Sequence, residues 1–456
     1  MTNLTRAQQR IWYQDQLAGP TRASHVAVLL RLHGDLDEAA LCRAFGDVTS
    51  RYDVLRSRYP AVGGHPYRDV MAPEDAPVVT LVDCAERELA AALDAAGRRP
   101  FDLTAAAPVR AVLFRIDPPR ISADGPRAAS PDRWALLLVA HRIVWDGAGL
   151  TALVGELGTA YAARRDGAAP VWPVVAAPPR RGGGTEETDG LRYWREELAA
   201  LPVGLPLPYD RAHPPVASNR GESVPLDLCP VARERLAELV RTGRARPATI
   251  GHAALAALLT RLGAGTDIPI GTTVSDPAPA RPFAAPATTV LLRVDTSGDP
   301  SFHDLLTRVR ATELAAHAHR HAPLDRLVDR LGAGRLPHSP PPVQVMVVTA
   351  EAPVRLSLPN LEVRAQRLDP EVTDCDLTVV LTPADVGAGP AGRLRYATDV
   401  FDRATAASLA DRLVGLLDAM AAEPDAGLGA VEVGTTGCGS PACRTLPGGT
   451  GIGVRG

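Results

Sequence analysis

The segment from 140 to 149 holds the residues of this chain whose types and spacing could do chemistry. It reads A-H-R-I-V-W-D-G-A-G and brings together His141, Arg142 and Asp146. A histidine can exchange a proton near neutral pH, whereas an arginine stays protonated. A carboxylate can hold a guanidinium or the free amides at a helix start. Proton transfer, charge stabilisation and a purely structural role are therefore all open for this segment.

Two predicted elements position this segment. The apolar run Trp134 to Ala140 is typical of a fully buried strand, and Leu150 to Ala163 has the apolar spacing of an amphipathic helix. A loop between such a strand and helix can present side chains into a cleft. The arrangement is common in proteins, so by itself it favours neither a site nor a structural turn.

The composition excludes several kinds of chemistry. The 456 residues include 49 basic side chains, and every one of them is arginine. Without lysine, the chain cannot form a Schiff base with pyridoxal phosphate or place a Walker lysine on a nucleotide. The 52 acidic residues bring the net charge to −3, and no strongly basic stretch accompanies aromatic residues. We therefore expect no nucleic-acid partner.

The chain also lacks sequence signals of a membrane or metal-binding protein. The run Trp134 to Ala140 is too short to span a bilayer and the N-terminus has no apolar signal core, which predicts a cytoplasmic protein without a membrane partner. The six cysteines form no C-x-x-C pair and are expected to be free thiols. In the cluster His317, His319 and His321, two rings four residues apart could bind a metal from one helix face. No pattern for a third ligand is evident, so no metal site is predicted.

Strand and helix patterns mix along most of the chain, which indicates an α/β (α+β) protein. The proline- and glycine-rich stretch 166–190 is expected to be a linker, because its composition disfavours both helix and central strand. It separates an N-terminal subdomain, residues 1–165, from a C-terminal subdomain, residues 191–435. The glycine-rich residues 436–456 are predicted to form a disordered tail.

Several short motifs follow one another along residues 1–435. They are Leu4 to Trp12, Arg51 to Tyr59, Pro100 to Leu103 with Pro108 and Arg110, Tyr193-Trp194, His319 to Asp325, Arg335 to Gln344, and Tyr396 to Asp402. In this order they resemble the motifs of the condensation domains of nonribosomal peptide synthetases, which are relatives of chloramphenicol acetyltransferase. Each motif is weak alone, and their shared order makes the resemblance strong.

The resemblance implies a fold and partners. The fold class is α/β, with two chloramphenicol-acetyltransferase-like subdomains arranged as a V-shaped pseudo-dimer around a tunnel. Phosphopantetheine arms of peptidyl or acyl carrier proteins would enter the tunnel from opposite faces and meet near His141 to Gly147. Because the arm is attached to the carrier protein, the chain itself is expected to bind no cofactor.

The core motif departs from the family pattern at one position. Members carry H-H-x-x-x-D-G, and His141, Asp146 and Gly147 match it here. The second histidine, the family's proposed general base or amine-positioning residue, is Arg142 in this chain. An arginine cannot take a proton from a nucleophile at physiological pH. A second departure places Thr288 where the family has an asparagine.

The resemblance also implies which residues form the site. The candidate catalytic residues lie in the core motif, and the residues expected to support them are two arginines near Asp146, a packing tryptophan and a threonine. The catalytic candidates are His141, Arg142, Asp146 and Gly147, and the supporting candidates are Arg10, Arg56, Trp145 and Thr288.

Two functions are compatible with this motif. In the first, a stand-alone acyltransferase joins a carrier-protein thioester to an amine and forms an amide. Positioning supplies much of the rate, and Arg142 stabilises negative charge on the thioester oxygen. An alcohol acceptor is disfavoured because it needs proton removal during attack. In the second, a catalytically degenerate domain binds a carrier protein and recruits a tailoring enzyme such as an oxygenase. Members of that kind typically end the motif in D-D, whereas Gly147 keeps the active pattern.

Overall fold

The architecture comes from a computed structural model of the chain. It describes residues 2–18, 24–117, 133–144, 147–172, 185–199, 201, 204–215, 217–274, 288–320, 343–350, 354, 356–368, 373, 375–382 and 391–431.

Strands and helices are interspersed along the described ranges. The strands are β1 (Thr2–Asn3), β2 (His25–Gly34), β3 (Ser57–Arg58), β4 (Ala61–Val62), β5 (His65–Val70), β6 (Val79–Cys84), β7 (Val109–Ile116), β8 (Arg133–His141), β9 (Gly221–Leu226), β10 (Asp267–Val274), β11 (Thr288–Asp295), β12 (Val345–Thr349), β13 (Leu361–Leu368), β14 (Leu377–Thr382) and β15 (Ala391–Ala397). The helices are α1 (Arg6–Ala18), α2 (Glu38–Arg51), α3 (Glu86–Arg98), α4 (Gly147–Arg165), α5 (Thr185–Glu197), α6 (Pro230–Arg241), α7 (Pro247–Arg261), α8 (Phe302–Ala318) and α9 (Arg403–Ala422).

The chain divides into two compact units. Unit 1 comprises Met1–Arg181, Ser275–Thr288 and Glu351–Pro370. Its main sheet has the strand order β13-β2-β8-β7-β6, in which β6 and β7 run parallel and the other neighbours antiparallel. Strand β8 lies at the centre of this sheet, and every residue from 134 to 141 is buried. This explains its nearly unbroken apolar sequence, since both faces of the strand are covered.

Unit 1 takes one strand from a distant part of the chain. Strand β13 pairs antiparallel with β2, from Leu361 opposite Gly34 to Leu368 opposite Ala27. This segment lies within the predicted C-terminal subdomain, residues 191–435, but belongs to unit 1 in the structure. The reason is backbone pairing with β2 over the whole length of β13. A composition-based boundary cannot reveal such a pairing.

Unit 2 comprises Gly182–Val274, Thr289–Ala350 and Glu371–Gly456. Its sheet has the order β11-β10-β12-β14-β15-β9. Strands β10, β12 and β14 are parallel to one another, and β15 is antiparallel to both of its neighbours, β14 and β9. Helices α6, α7, α8 and α9 contribute buried apolar residues to one core with this sheet. The predicted mixture of strands and helices in both halves is therefore confirmed.

The predicted linker and tail fall only in part on the described residues. Helix α5 begins at Thr185, inside the predicted linker 166–190, and residues 173–184 lie outside the described ranges. The predicted tail, 436–456, lies wholly outside them. Four of the six cysteines are described, and these four, Cys42, Cys84, Cys229 and Cys375, are not joined in disulfides. Within the described ranges, no helix is long and apolar enough to cross a membrane.

Candidate functional site

The core motif begins at the end of strand β8, whose last residue is His141. His141 lies opposite His25, the first residue of β2, in the antiparallel register of these strands. Its side chain is 1% exposed. The sequence predicted a buried strand before the motif and a helix after it, and β8 and α4 confirm both elements.

Both ring nitrogens of His141 are engaged in hydrogen bonds. The Ile143 backbone N–H donates to Nδ1 at 3.1 Å, so Nδ1 carries no proton. The proton of the neutral ring is therefore on Nε2, which donates to Asp15 Oδ1 at 3.3 Å. The Asp15 side chain is itself only 8% exposed. In this arrangement His141 has no free lone pair with which to accept a proton from a substrate.

All four backbone amides of the motif segment from 141 to 144 donate hydrogen bonds. The amide of His141 donates to Pro108 O at 2.8 Å, and that of Arg142 donates to Ser24 O at 2.7 Å. The amide of Ile143 uses His141 Nδ1, and that of Val144 donates to His141 O at 3.2 Å. An unpaired buried amide costs about 1–3 kcal/mol, so these bonds hold the turn in one conformation.

Arg142 is the exposed residue of this turn, between the buried His141 and Ile143. Its guanidinium remains protonated, so it supplies positive charge and hydrogen-bond donors but no base. The position that the family uses for its second histidine therefore carries a fixed cation at the surface of unit 1.

The remaining predicted site residues are described to different extents. Asp146 and Trp145 lie outside the described residues, and Gly147 is the first residue of α4. Arg10 lies on α1 and Thr288 begins β11, but their side chains are outside the described part of the structure. Arg56 donates to Met71 O at 2.5 Å and pairs with Asp53. The proposed support of Asp146 by Arg10 and Arg56 stays a prediction.

Aromatic rings surround His141 inside unit 1. The ring centroid of Phe101 lies 6.0 Å from that of His141 and 5.0 Å from that of His25, both edge-to-face. Arg110 stacks over Phe101 at 4.3 Å, and burial lowers its pKa to about 10. Burial also lowers the pKa of His25 to about 4, although His25 Nδ1 donates to Gly97 O at 3.0 Å. His25 is therefore neutral at physiological pH.

The N-terminal motifs recognised in the sequence converge on this site. Trp12 Nε1 donates to Tyr59 O at 2.8 Å, and the Tyr59 amide donates to Leu103 O. Gln8 Nε2 donates to Ile143 O at 3.1 Å. The motifs that begin at residues 4, 51 and 100 therefore build one scaffold behind the core motif.

Sequence reasoning missed two residues that contact the core motif. Asp15 and Gln8 lie on α1 and are two helical turns apart, with the buried Trp12 between them. Spacing of seven residues places them on one helix face, and a carboxylate on an otherwise apolar face was a signal available in the sequence. Their partners are 126 and 135 residues away, so the sequence could not identify them.

The last motif has a structural task in unit 2. Tyr396 donates to Glu222 Oε2 at 2.7 Å, and Asp399 accepts from the amide and the hydroxyl of Ser218. Asp402 accepts from Arg211 at 2.6 Å. These contacts fix the segment around Ser218 and Arg211 on the end of β15. Across the described part of the chain, three or more metal-ligating side chains do not come together in one group.

The family model of the Condensation domain matches residues 1–436. The chain is 36% identical over 452 residues to the dimodular nonribosomal peptide synthase of Bacillus subtilis (strain 168), covering 94% of this chain and 18% of that protein. It is 31% identical over 436 residues to phosphinothricin tripeptide synthetase PhsB of Streptomyces viridochromogenes, covering 91% of this chain and 35% of the relative. The chain thus spans well under half of these relatives.

Solved structures show the same fold. The chain is 32% identical to the X-domain from teicoplanin biosynthesis, with a TM-score of 0.79 over 94% of this chain and 97% of that chain. A structure of the complex of this X-domain and OxyB matches with the same identity and TM-score, over 95% and 96% of the two chains. The starter condensation domain of rhizomide synthetase RzmA is 17% identical, with a TM-score of 0.74 over 95% and 99%. The predicted chloramphenicol-acetyltransferase-like fold class is confirmed.

Proposed function

The chain belongs to the condensation-domain family of nonribosomal peptide synthetases, and from this premise we propose that it joins a carrier-bound acyl thioester to an amine, forming an amide. One observation carries this proposal. In the described part of the core motif, both nitrogens of His141 are hydrogen bonded and the next residue is the cation Arg142. The reaction must therefore use a nucleophile that needs no proton acceptor from these residues.

An amine meets this condition and an alcohol does not. A neutral amine attacks the thioester carbon with its own lone pair, and the carbonyl oxygen becomes an oxyanion. The C–S bond then breaks, the electron pair leaves with sulfur as a thiolate, and the ammonium proton passes to solvent. A thiol with a pKa of about 8.5 is a good leaving group, so the protein need not protonate it. An alcohol is a weak nucleophile until a base removes its proton.

Arg142 supplies what this reaction does need. Negative charge develops on the thioester oxygen during attack, and a fixed cation with several N–H donors stabilises it. The hydrogen-bonded turn from 141 to 144 holds the backbone of Arg142 in place, so little reorganisation is needed at the moment of reaction. The acyl group arrives on the phosphopantetheine arm of a carrier protein, as in the family.

The test is reconstitution with acyl-carrier thioesters and matched amine and alcohol acceptors. We expect amide product from the amine and no ester from the alcohol. Arg142→Ala should lower kcat about a hundredfold, the usual cost of one oxyanion donor. Arg87→Ala, which removes an exposed arginine of α3, should leave kcat unchanged.

The pH profile distinguishes a charge-stabilising arginine from a hidden base. In the wild type, kcat/KM should rise with pH only as the acceptor ammonium loses its proton and becomes the neutral amine. Arg142→His should add an ionisation near pH 6.5, because an unperturbed histidine titrates there. Ester formation by the wild type, or a second ionisation in its profile, would contradict the proposal.

A second candidate is a domain that docks a carrier protein and recruits a tailoring enzyme such as an oxygenase. The similarity to the X-domain, whose complex with OxyB has been solved, favours it. Binding of carrier protein and of a partner oxygenase, with no product from any donor and acceptor pair, is the result that this candidate predicts. Amide product from the wild type, formed about a hundredfold more slowly by Arg142→Ala, would decide for the first candidate.

A further inference from the structure

We propose that Asp15 and Gln8 of α1 are positioning residues of the core motif: together they fix the two peptide groups that flank the Cα of Ile143 and so the turn that presents Arg142. This inference rests on the proposed function only in its kinetic part, since the positioning itself can be measured without turnover. Neither residue lies in the core motif, and both reach it from a helix more than a hundred residues away in sequence.

Asp15 determines the tautomer of His141. Its carboxylate is a pure acceptor and lies 3.3 Å from His141 Nε2, so the proton is held on Nε2. With the proton on Nδ1 instead, two donors would face each other at the Ile143 amide, 3.1 Å away, and two acceptors would face each other at Asp15. A buried carboxylate is costly unless it is paired, and the Nε2–H of His141 pairs with it here. Asp15 therefore keeps Nδ1 available as the acceptor for Ile143.

Gln8 holds the next peptide group, between Ile143 and Val144. Its Nε2 donates to Ile143 O at 3.1 Å, while its Oε1 accepts from the Thr5 amide at 3.1 Å. The backbone N–H of Gln8 donates in turn to Thr5 Oγ1 at 3.3 Å. This reciprocal pattern is a capping box at the start of α1. The side chain that caps the helix thus also ties the helix to the motif, and Ile143 is held on both sides, through its own N–H and its own C=O.

The neighbouring amides do not depend on α1. His141 N donates to Pro108 O and Arg142 N donates to Ser24 O, both backbone acceptors outside this helix. Loss of the α1 contacts should therefore loosen the turn at Ile143 and leave its first residues in place. This selectivity separates positioning from a general loss of stability.

The structural test uses the full chain labelled with ¹⁵N. Long-range ¹H–¹⁵N correlation should show the Nε2–H tautomer of His141 in the wild type and a mixed population in Asp15→Leu. Exchange of the Ile143 amide should become about tenfold faster in Asp15→Leu and in Gln8→Ala, the effect of losing one net hydrogen bond. Asp15→Asn, which can still accept through Oδ1, should stay close to wild type. Gln9→Ala is the matched control, because Gln9 is the next residue on α1 and its side-chain Nε2 donates to Leu4 O rather than to the core motif.

The kinetic test is a double-mutant cycle with Arg142. Asp15→Leu should lower kcat about tenfold without changing KM for the acyl carrier protein, and it should have no further effect in the Arg142→Ala background. An unchanged tautomer and unchanged Ile143 exchange in both variants would overturn the positioning role. Equal kinetic losses in both backgrounds would overturn the route through Arg142. A wild type without turnover would refute the proposed function and leave the structural test decisive.

Discussion

At the scale of single residues, the hydrogen-bond partners of His141 and His25 set the position of the ring proton in each histidine. His141 and His25 face each other across β2 and β8, and both are buried. Each uses Nδ1 for a backbone group, His141 as an acceptor and His25 as a donor. The two rings therefore have opposite tautomers, with the proton on Nε2 in His141 and on Nδ1 in His25. Their shared task is to hold the motif in unit 1.

The burial of His25 predicts how stability depends on pH. Its pKa falls from 6.5 in the unfolded chain to about 4 in the folded chain, chiefly through burial. Between these values the unfolded chain binds more protons, so stability rises with pH. The contribution is complete above about pH 6.5 and is lost as the pH falls towards 4. At pH 5, the expected loss from this group is about 2 kcal/mol of unfolding free energy.

His25→Asn tests this dependence, because the asparagine amide can still donate to Gly97 O but does not titrate. We expect the difference in unfolding free energy between wild type and variant to shrink by about 2 kcal/mol from pH 7.5 to pH 5. Urea unfolding at both pH values measures it. A difference that stays constant with pH would show that His25 does not titrate in this range.

At the scale of elements, apolar periodicity predicted long elements well and their ends poorly. The predicted strand Trp134 to Ala140 lies within β8, Arg133–His141, whereas the predicted helix Leu150 to Ala163 is longer at both ends in α4, Gly147–Arg165. The apolar spacing from Leu36 to Tyr59 continues beyond the helix, since α2 ends at Arg51 and the short 3-10 helix Asp53–Arg56 follows. Tyr52 between them has extended dihedrals, which side-chain periodicity does not register. The exposed edge strand β13, with charged residues along it, was not predicted from its pattern.

Gly34 marks the point where β2 ends against β13. Its φ is +129°, and an added Cβ would lie 2.5 Å from Asn360 O, a backbone atom that cannot rotate away. Gly34→Ala should therefore lower the unfolding free energy by about 3 kcal/mol, from backbone strain and overlap together. Thermal or urea unfolding measures the change.

Two other glycines separate these causes. Gly64 has a φ of +81° but open space around a Cβ, so Gly64→Ala should cost only the strain, about 1 kcal/mol. Gly46 lies within α2 with open space, and Gly46→Ala should be neutral or stabilise by up to about 1 kcal/mol. A loss at Gly34 no larger than that at Gly64 would mean that the Asn360 contact relaxes freely.

At the scale of the whole molecule, chain order and structural unit differ. Residues 351–370 follow much of unit 2 in the chain, yet β13 completes the sheet of unit 1. Val363, opposite Leu32, packs against the core of unit 1, whereas Gln366 on the same strand is exposed. The stability of β2 should therefore depend on a strand that is encoded more than three hundred residues later.

Hydrogen exchange tests this dependence. Val363→Asp places a charge against the unit 1 core and should speed exchange throughout β2, because burying an unpaired charge is costly. The amides of β12 and β14 in unit 2 should be unaffected. Gln366→Asp, an exposed change on the same strand, serves as the control. Faster exchange in unit 2 with unchanged exchange in β2 would show that the assignment of β13 to unit 1 is wrong.

The sequence by itself determined the chemistry that is available and the family. Residue types exclude lysine chemistry, ordered motifs identify the condensation-domain family, and Arg142 replaces a titratable histidine with a permanent cation. These conclusions need only identity and order along the chain. Tertiary structure alone decided which partners those residues have. It places Asp15 on His141 and Gln8 on Ile143 across 126 and 135 residues, and β13 beside β2. Hydrogen bonds and burial depend on distance in space, which a motif does not encode.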